Sequence, residues 1–205
     1  MPIRMSTSLR VSRAAAIISA LDASASPATF SQYSGGQPDP FGDISSMAPH
    51  AVSTSYVAGD YVTSGLNYYR AENDGTSDAS APTFPTDGGT VADNDITWSD
   101  MGEIPVLQGT LTLSKPCGTV TTTKAGSQYQ VFIDFDPWTE DSSADAGGTA
   151  SWGRLSDGDG NVVLDGDIGL EGSGAMFQIN TTNIIPGSPI KIKTGTAPKL
   201  IEGGA

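Results

Sequence analysis

Residues 55–77 read SYVAGDYVTSGLNYYRAENDGTS, and residues 83–102 read TFPTDGGTVADNDITWSDMG. Within them Tyr56 and Ala58, Tyr61 and Thr63, Asn67, Tyr69 and Ala71, and Ile96 and Trp98 recur at a spacing of two. Gly-Asp, Ser-Gly and Asp-Gly pairs separate the runs. Period-two patterning cut by such pairs predicts short antiparallel strands joined by tight turns. The first hairpin is expected to place Tyr61 and Tyr69 on one face, with Val62 and Tyr68 on the other.

Outward from this stretch lie ATFSQYSGG at 28–36 and VLQGTLTLSKP at 106–116. They read as one sheet interrupted by a guest, since removing the guest makes them neighbours in sequence. The chain therefore divides into three parts. Residues 1–47 hold an N-terminal helix and the first host strand, 48–104 form an inserted small antiparallel β module, and 105–205 complete a host β-sandwich. The expected fold class is all-β. In 106–113, Leu107, Gly109, Leu111 and Leu113 form the buried face. Further on, Val131, Ile133 and Phe135 share a face, with Phe132, Asp134 and Asp136 opposite. Ala150, Trp152 and Arg154 alternate with Ser151, Gly153 and Leu155 before an Asp-Gly-Asp-Gly-Asn turn and the return run NVVLDGD. Residues 174–184 and 188–194 supply two more strands. The one helix spans 6–22, capped by Ser6, Thr7 or Ser8, with Val11, Ala14, Ala15, Ile18 and Leu21 on one face. A helix of that length is marginal alone and needs a surface to lie on.

Composition narrows the function. The chain has 205 residues, 25 Gly and 13 Pro, with 37% hydrophobic residues and a net charge of −13. Phosphate contact requires clustered Lys and Arg, so general nucleic-acid binding is not expected. The charge is uneven: Arg4, Arg10 and Arg13 precede the first acid, Asp22. A basic arm on an acidic body suits docking on an acidic partner surface, and it equally suits a solvated helix start. The N-terminal run imitates a secretory leader, but its apolar stretch is brief and Asp22 interrupts the exit, so no cleaved leader is expected. No run approaches the length a membrane-spanning helix requires.

Candidate chemistry is sparse. Cys117 stands alone, so no disulfide can close within the chain, and it reads as a small semi-buried residue. His50 is the single histidine and reads as a surface residue in the linker to the guest. Asp134, Asp136, Glu140, Asp141 and Asp145 read as a solvated loop between strands. Asp157, Asp159 and Asn161 hint at calcium, yet a calcium loop of the EF-hand type has Gly sixth and Glu twelfth, where this chain has Val162 and Ile168. No phosphate-binding loop, Ser/His/Asp set or metal-type Cys/His spacing occurs. No catalysis, cofactor or metal is expected.

Two resemblances are specific. The pattern Y-x-x-G-D-Y-V…Y-Y-R-A, then D-G-T-S, A-P-T-F-P and D-I-T-W-S-D-M-G, resembles small β modules spliced into tailed-bacteriophage structural proteins. It is also similar to chitin- and cellulose-binding modules. In those carbohydrate-binding relatives exposed aromatics stack on sugar rings, which carries over here to Tyr61, Tyr68, Tyr69 and Trp98. A module this small has few other large residues to bury, so at least three of the four are expected in its core. The host motifs MPIRMSTSLR, L-x-G-T-L-T-L-S-K-P, DSSADAGGTASWGRLSDGDGNVVLDGDIG and GSGAMFQINTTNIIPGSPIKI resemble a family of small tailed-phage virion proteins. That resemblance implies a virion component, most simply a head decoration protein. Its partners would be the major capsid protein or other virion proteins, and further copies of itself as a homo-oligomer. The alternative it leaves open is a tail or fibre adhesion protein whose module binds host surface glycan.

Overall fold

The computed structural model describes residues 5–38, 47–125, 128–170, 172–179, 181–190 and 199–202. The fold is all-β with an N-terminal helix. In chain order the elements are α1 (Thr7–Leu21), β1 (Thr29–Ser34), β2 (Ala48–Pro49), β3 (Ser55–Tyr56), β4 (Tyr61–Ser64), β5 (Asn67–Ala71), β6 (Gly75–Thr76), β7 (Thr90–Asp93) and β8 (Ile96–Glu103). There follow β9 (Val106–Thr112), β10 (Gly118–Ala125), β11 (Gln128–Phe135), β12 (Gly148–Thr149), β13 (Trp152–Ser156), β14 (Val162–Leu170), β15 (Phe177–Ile179), β16 (Asn183–Ile184) and β17 (Lys199–Glu202). The chain forms two compact units: an outer unit from residues up to Ser34 and from Leu107 onward, and an inner unit of Gly35–Val106.

The outer unit has a five-stranded sheet in the order β15-β14-β13-β1-β9, a three-stranded sheet β10-β11-β17 and a small β12-β16 pair. One core draws on both larger sheets: Phe30, Leu111, Leu155, Ile168 and Phe177 from the first, Val131, Ile133 and Phe135 from the second. Val131, Ile133 and Phe135 of β11 are 0–2% exposed, as the period-two pattern requires. At the centre of its sheet, β13 is buried on both faces through Trp152, Gly153, Arg154 and Leu155. That is why both of its alternating sets are apolar or paired.

β1 and β9 are sheet neighbours. Leu113 N donates to Ala28 O at 2.9 Å and the Ser31 and Thr110 hydroxyls meet at 3.2 Å, so the pairing runs in opposite directions. The inner unit thus replaces a single hairpin turn. One expectation fails in β9. Leu111 and Leu113 are buried, but Leu107 is 36% exposed while Gln108 is 0% exposed. Alternation breaks at Gly109, where a side chain would lie 2.5 Å from Ile190 Cδ1 and 2.7 Å from Asp141 Oδ2. Thr110 N turns to the Asp141 carboxylate at 3.0 Å, and Asp145 N donates to Gln108 O at 2.8 Å. Gln108 then lies inward, accepting from Gln32 Nε2 at 3.4 Å.

In α1 the Ser6 hydroxyl accepts from Leu9 N at 3.2 Å, a cap worth about 1 kcal/mol. Ala14 and Leu21 are buried, with Val11, Ile17 and Ile18 packed against the same core. Ala15 is exposed, contrary to the expected stripe, and Ile17 takes its place. Isoleucine removes more apolar surface from water than alanine, so the helix rolls toward it. The helix packs on β10 and β11 of its own unit. Its end is pinned there: the Asp22 carboxylate accepts from Cys117 N at 3.1 Å, and Lys115 Nζ donates to the carbonyls of Asp22 and Ser24.

The inner unit begins at Gly35, earlier than residue 48, because the segment after β1 runs beside the end of β8. Gly36 N donates to Glu103 O at 2.8 Å, and a side chain at Gly36 would lie 2.1 Å from Met101 O. Entry and exit of the unit are therefore side by side. Its main sheet has the order β2-β4-β5-β8-β7, beside a β3-β6 pair. Its core is Val62, Tyr69, Ala71, Ile96 and Trp98, with Tyr56, Phe84 and Val91 packed on it.

Candidate functional site

The sequence points to the aromatic set of the inner unit, and its register decides which rings meet. Ser64 pairs with Asn67 across the two-residue turn Gly65-Leu66, so Thr63 lies opposite Tyr68 and Val62 opposite Tyr69. Directly opposed residues share a face. Tyr61 therefore shares its face with Tyr68, their ring centroids 5.8 Å apart, while Val62 shares the other with Tyr69. This reverses the expected grouping. The turn takes two residues in the loop, and one residue of register exchanges the faces.

Tyr68, Tyr69 and Trp98 are 0%, 1% and 0% exposed. None of the three offers a ring face to a sugar. Tyr61 is half-buried, as are Tyr56 and Phe84. The rings instead build a core. Phe84 lies 4.4 Å from Tyr69 and 5.2 Å from His50, and Tyr56 lies 5.0 Å from Trp98. The Tyr69 hydroxyl donates to Pro85 O at 2.8 Å, which ties the loop carrying Phe84 to the sheet. Replacing Tyr68 or Trp98 with Ala is expected to destabilise this unit by about 3–5 kcal/mol. Thermal unfolding of the variants checks it. A folded Trp98→Ala unit that had merely lost glycan binding on an array would contradict it.

At the hub of this core is Asp93, which no motif singles out. Its Oδ2 accepts from Trp98 Nε1 at 2.9 Å and meets His50 Nε2 at 2.9 Å, and its Oδ1 accepts from Asp78 N at 2.9 Å. The His50 and Asp93 side chains are 4% and 0% exposed, so His50 is not the surface residue expected. The ring also faces Phe84, Trp98 and Tyr56 at 5.2, 5.7 and 6.2 Å. Burial alone would raise the Asp93 carboxyl, but the hydrogen bonds from Trp98, Asp78 and His50 outweigh it and hold the group below the ordinary carboxylate value. Asp100 follows the same balance: burial opposes, while Gly88 N, Asn67 Nδ2 and Gly102 N donate and prevail. Burial, then the Asp100 charge, pushes the Tyr69 phenol up.

A carboxyl held below its unfolded value contributes stability that is present above that value and is lost as pH falls through the folded one. For Asp93 and Asp100 the loss therefore falls below about pH 4, where an unfolded Asp titrates. The Trp98 indole N–H resonance should be unchanged down to about that pH and shift below it. A shift completed well above it would contradict the assignment.

The three arginines do not come together as a described patch. Arg10 is half-buried on α1, and Arg13 is exposed with Nη1 donating to Met5 Sδ at 3.0 Å. Arg4 lies outside the described residues. Burial, then the nearby Asp22, pushes the Cys117 thiol up to about 12, and the side chain is 0% exposed. It is a thiol at neutral pH, packed in the core. Asp157 closes its hairpin turn by accepting from Asp159 N, Asn161 N and Asn161 Nδ2 at 3.0, 2.8 and 2.9 Å. Among the described residues, no group of three or more His, Cys, Asp or Glu is placed to hold a metal ion. No described helix is long and apolar enough to cross a membrane.

The outer unit has its own buried polar group. Arg154 Nε and Nη2 donate to the two oxygens of Asp165 at 2.8 and 2.7 Å. The guanidinium lies 5.4 Å over Trp152, which stacks on Tyr33 at 4.3 Å and 9°. What most distinguishes the two units is charge. The inner one has Arg70 as its single basic residue against eleven Asp and Glu, a net −10 of the chain's −13. The remainder has nine basic and twelve acidic residues, a net −3.

Comparison with protein-family models, with curated proteins and with solved structures returns no match.

Proposed function

We propose that this chain is a structural component of a tailed-phage virion, a head decoration protein that acts by association. One observation carries the reading beside the sequence resemblance: two β units with separate cores, the inner one set in place of one hairpin turn of the outer. A host unit packing on capsid subunits and a guest displayed from it suit that construction. The adhesion reading loses its carriers, because three of its four stacking rings are inside the guest's core.

Immunogold labelling of intact particles with an antibody against residues 48–102 tests the proposal. Gold over the whole head is expected, and gold confined to the tail would overturn the decoration role. The basic N-terminal arm is the proposed contact with an acidic partner surface. Replacing Arg4, Arg10 and Arg13 with Ala should weaken particle association and flatten its dependence on salt, because released pairings are screened ones. Unchanged association in a salt titration would remove the arm from the contact.

A further inference from the structure

The outer unit closes one of its long sheet edges and leaves another open. β9 is an edge strand of seven residues, and a loop takes up its outer side. Asp145 N donates to Gln108 O at 2.8 Å and Thr110 N to the Asp141 carboxylate at 3.0 Å, while Thr112 and Thr139 exchange backbone bonds of 3.3 and 2.7 Å. β10 is an edge strand of eight residues, and among the described residues β11 is its one strand neighbour. Asp136 N donates to Cys117 O at 3.0 Å. Bonded and non-bonded pairs alternate along an antiparallel ladder, so the register that sets Gly118 against Phe135 directs the odd-numbered residues of β10 to β11. Gly118, Val120, Thr122 and Lys124 therefore turn their N–H and C=O groups outward. Among the described residues no hydrogen bond reaches those groups. Thr119, Thr122, Thr123 and Lys124 are exposed. An exposed edge of β-branched residues without proline is a template for a further strand.

We infer that β10 is the contact between two copies of this chain, paired antiparallel across a two-fold axis at Thr121 so that their three-stranded sheets run on into one. In that register Val120 faces Thr122 of the second copy and Gly118 faces its Lys124, so every outward N–H and C=O of the strand gains a partner. Thr119 faces Thr123 of the second copy, and Thr121 faces itself. Cross-strand threonine pairs are favourable ones. Charge selects a second copy and this place on it. Two chains of net −13 repel, yet residues 107–133 hold two lysines and no acid. The one charge of β10, Lys124, is set against a glycine. Strand addition asks of a partner a free edge of matching length without like charge opposite, and the same strand of a second copy supplies both. A two-fold contact closes on itself. The pairing belongs to the purified chain and does not rest on the virion reading, so either can fail without the other.

Sedimentation equilibrium of the purified full chain tests the inference. The parent should populate a dimer that tightens between about 10 mM and about 1 M salt, as screening removes the repulsion between the two chains. Thr122→Pro removes an outward N–H and spares the bonds to β11, since proline is tolerated on an edge strand where the N–H faces solvent. By symmetry it deletes two bonds of the contact, so the dimer should weaken about tenfold or more. A second pair of variants reads the register and keeps the test valid if the proline variant misfolds. Thr119→Glu with Thr123→Glu sets like charges opposite each other across the axis, and should abolish the dimer at about 10 mM salt. Thr119→Lys with Thr123→Glu sets opposite charges there, and should restore it. A parent that stays monomeric at about 1 mM in both salts would overturn the inference and leave the edge to a strand of another protein. A dimer as tight as the parent's in the folded proline or double-glutamate variant would overturn it as well.

Discussion

Asp93→Ala is expected to unfold the inner unit while leaving the outer one folded. The substitution strands three donors in a dry core: Trp98 Nε1, His50 Nε2 and Asp78 N, each now 2.9 Å from a carboxylate oxygen. An unsatisfied buried donor costs about 1–3 kcal/mol. A unit of this size has a total stability of order 4–11 kcal/mol, so the loss takes much of it. The outer core shares no residue with the inner core, so the damage should stop at the junction. In an amide correlation spectrum the resonances of 35–106 should collapse, and those of the outer unit should keep their positions. Loss of both sets would show that the units fold as one.

Asp93→Asn separates charge from shape. One amide oxygen replaces two carboxylate oxygens, and the new N–H₂ points at a donor whichever way the side chain is turned. If the oxygen keeps Trp98 and His50, the nitrogen faces Asp78 N. If it keeps Asp78, the nitrogen faces both rings. A loss between that of Ala and none is expected, about 1–3 kcal/mol. Denaturant midpoints of the inner unit's transition measure it. A fully tolerated Asn would mean that the rings pack without the carboxylate.

Local alternation was readable where one face is dry. Val131, Ile133 and Phe135 and the helix bounds follow from spacing and capping. What spacing could not supply was pairing between distant residues. His50 and Asp93 are 43 positions apart, and neither has a neighbour in sequence that betrays the other. A single histidine in a linker looks exposed until a carboxylate is found beneath it. The exchange of Leu107 for Gln108 has the same origin. It depends on Asp141 and Asp145, from a loop more than 30 residues on, diverting the β9 backbone. The face error at Tyr68 and Tyr69 is of another kind: across a two-residue turn each odd-numbered residue faces an even-numbered one, so Tyr61 shares its face with Tyr68 and Val62 with Tyr69. The core role of the aromatics was legible as well, because a module this small has few other large residues to bury, and Tyr68, Tyr69 and Trp98 are buried.

Asp165→Ala should be the most damaging single change in the outer unit, and a paired replacement should undo most of it. Arg154 is 8% exposed and the Asp165 side chain 3%. Truncating the aspartate leaves a guanidinium over Trp152 in the middle of a five-stranded sheet, without the oxygens it now holds at 2.7 and 2.8 Å. The expected cost is about 3–5 kcal/mol. Desolvating two charges takes back most of what their attraction gives, so the pair itself contributes little over apolar residues of similar volume. Arg154→Met with Asp165→Leu should therefore lie within about 1–2 kcal/mol of the parent. The parent, Arg154→Met, Asp165→Leu and the combined variant form a double-mutant cycle, read from urea midpoints of the outer unit. A strong coupling term with a near-neutral double variant means the pair specifies which strands meet across β13 and β14 more than it holds them together. A double variant as weak as Asp165→Ala would instead make the Arg154–Asp165 fork a stabilising contact in its own right. The stacked Tyr33–Trp152 pair beneath it would then depend on the charge above.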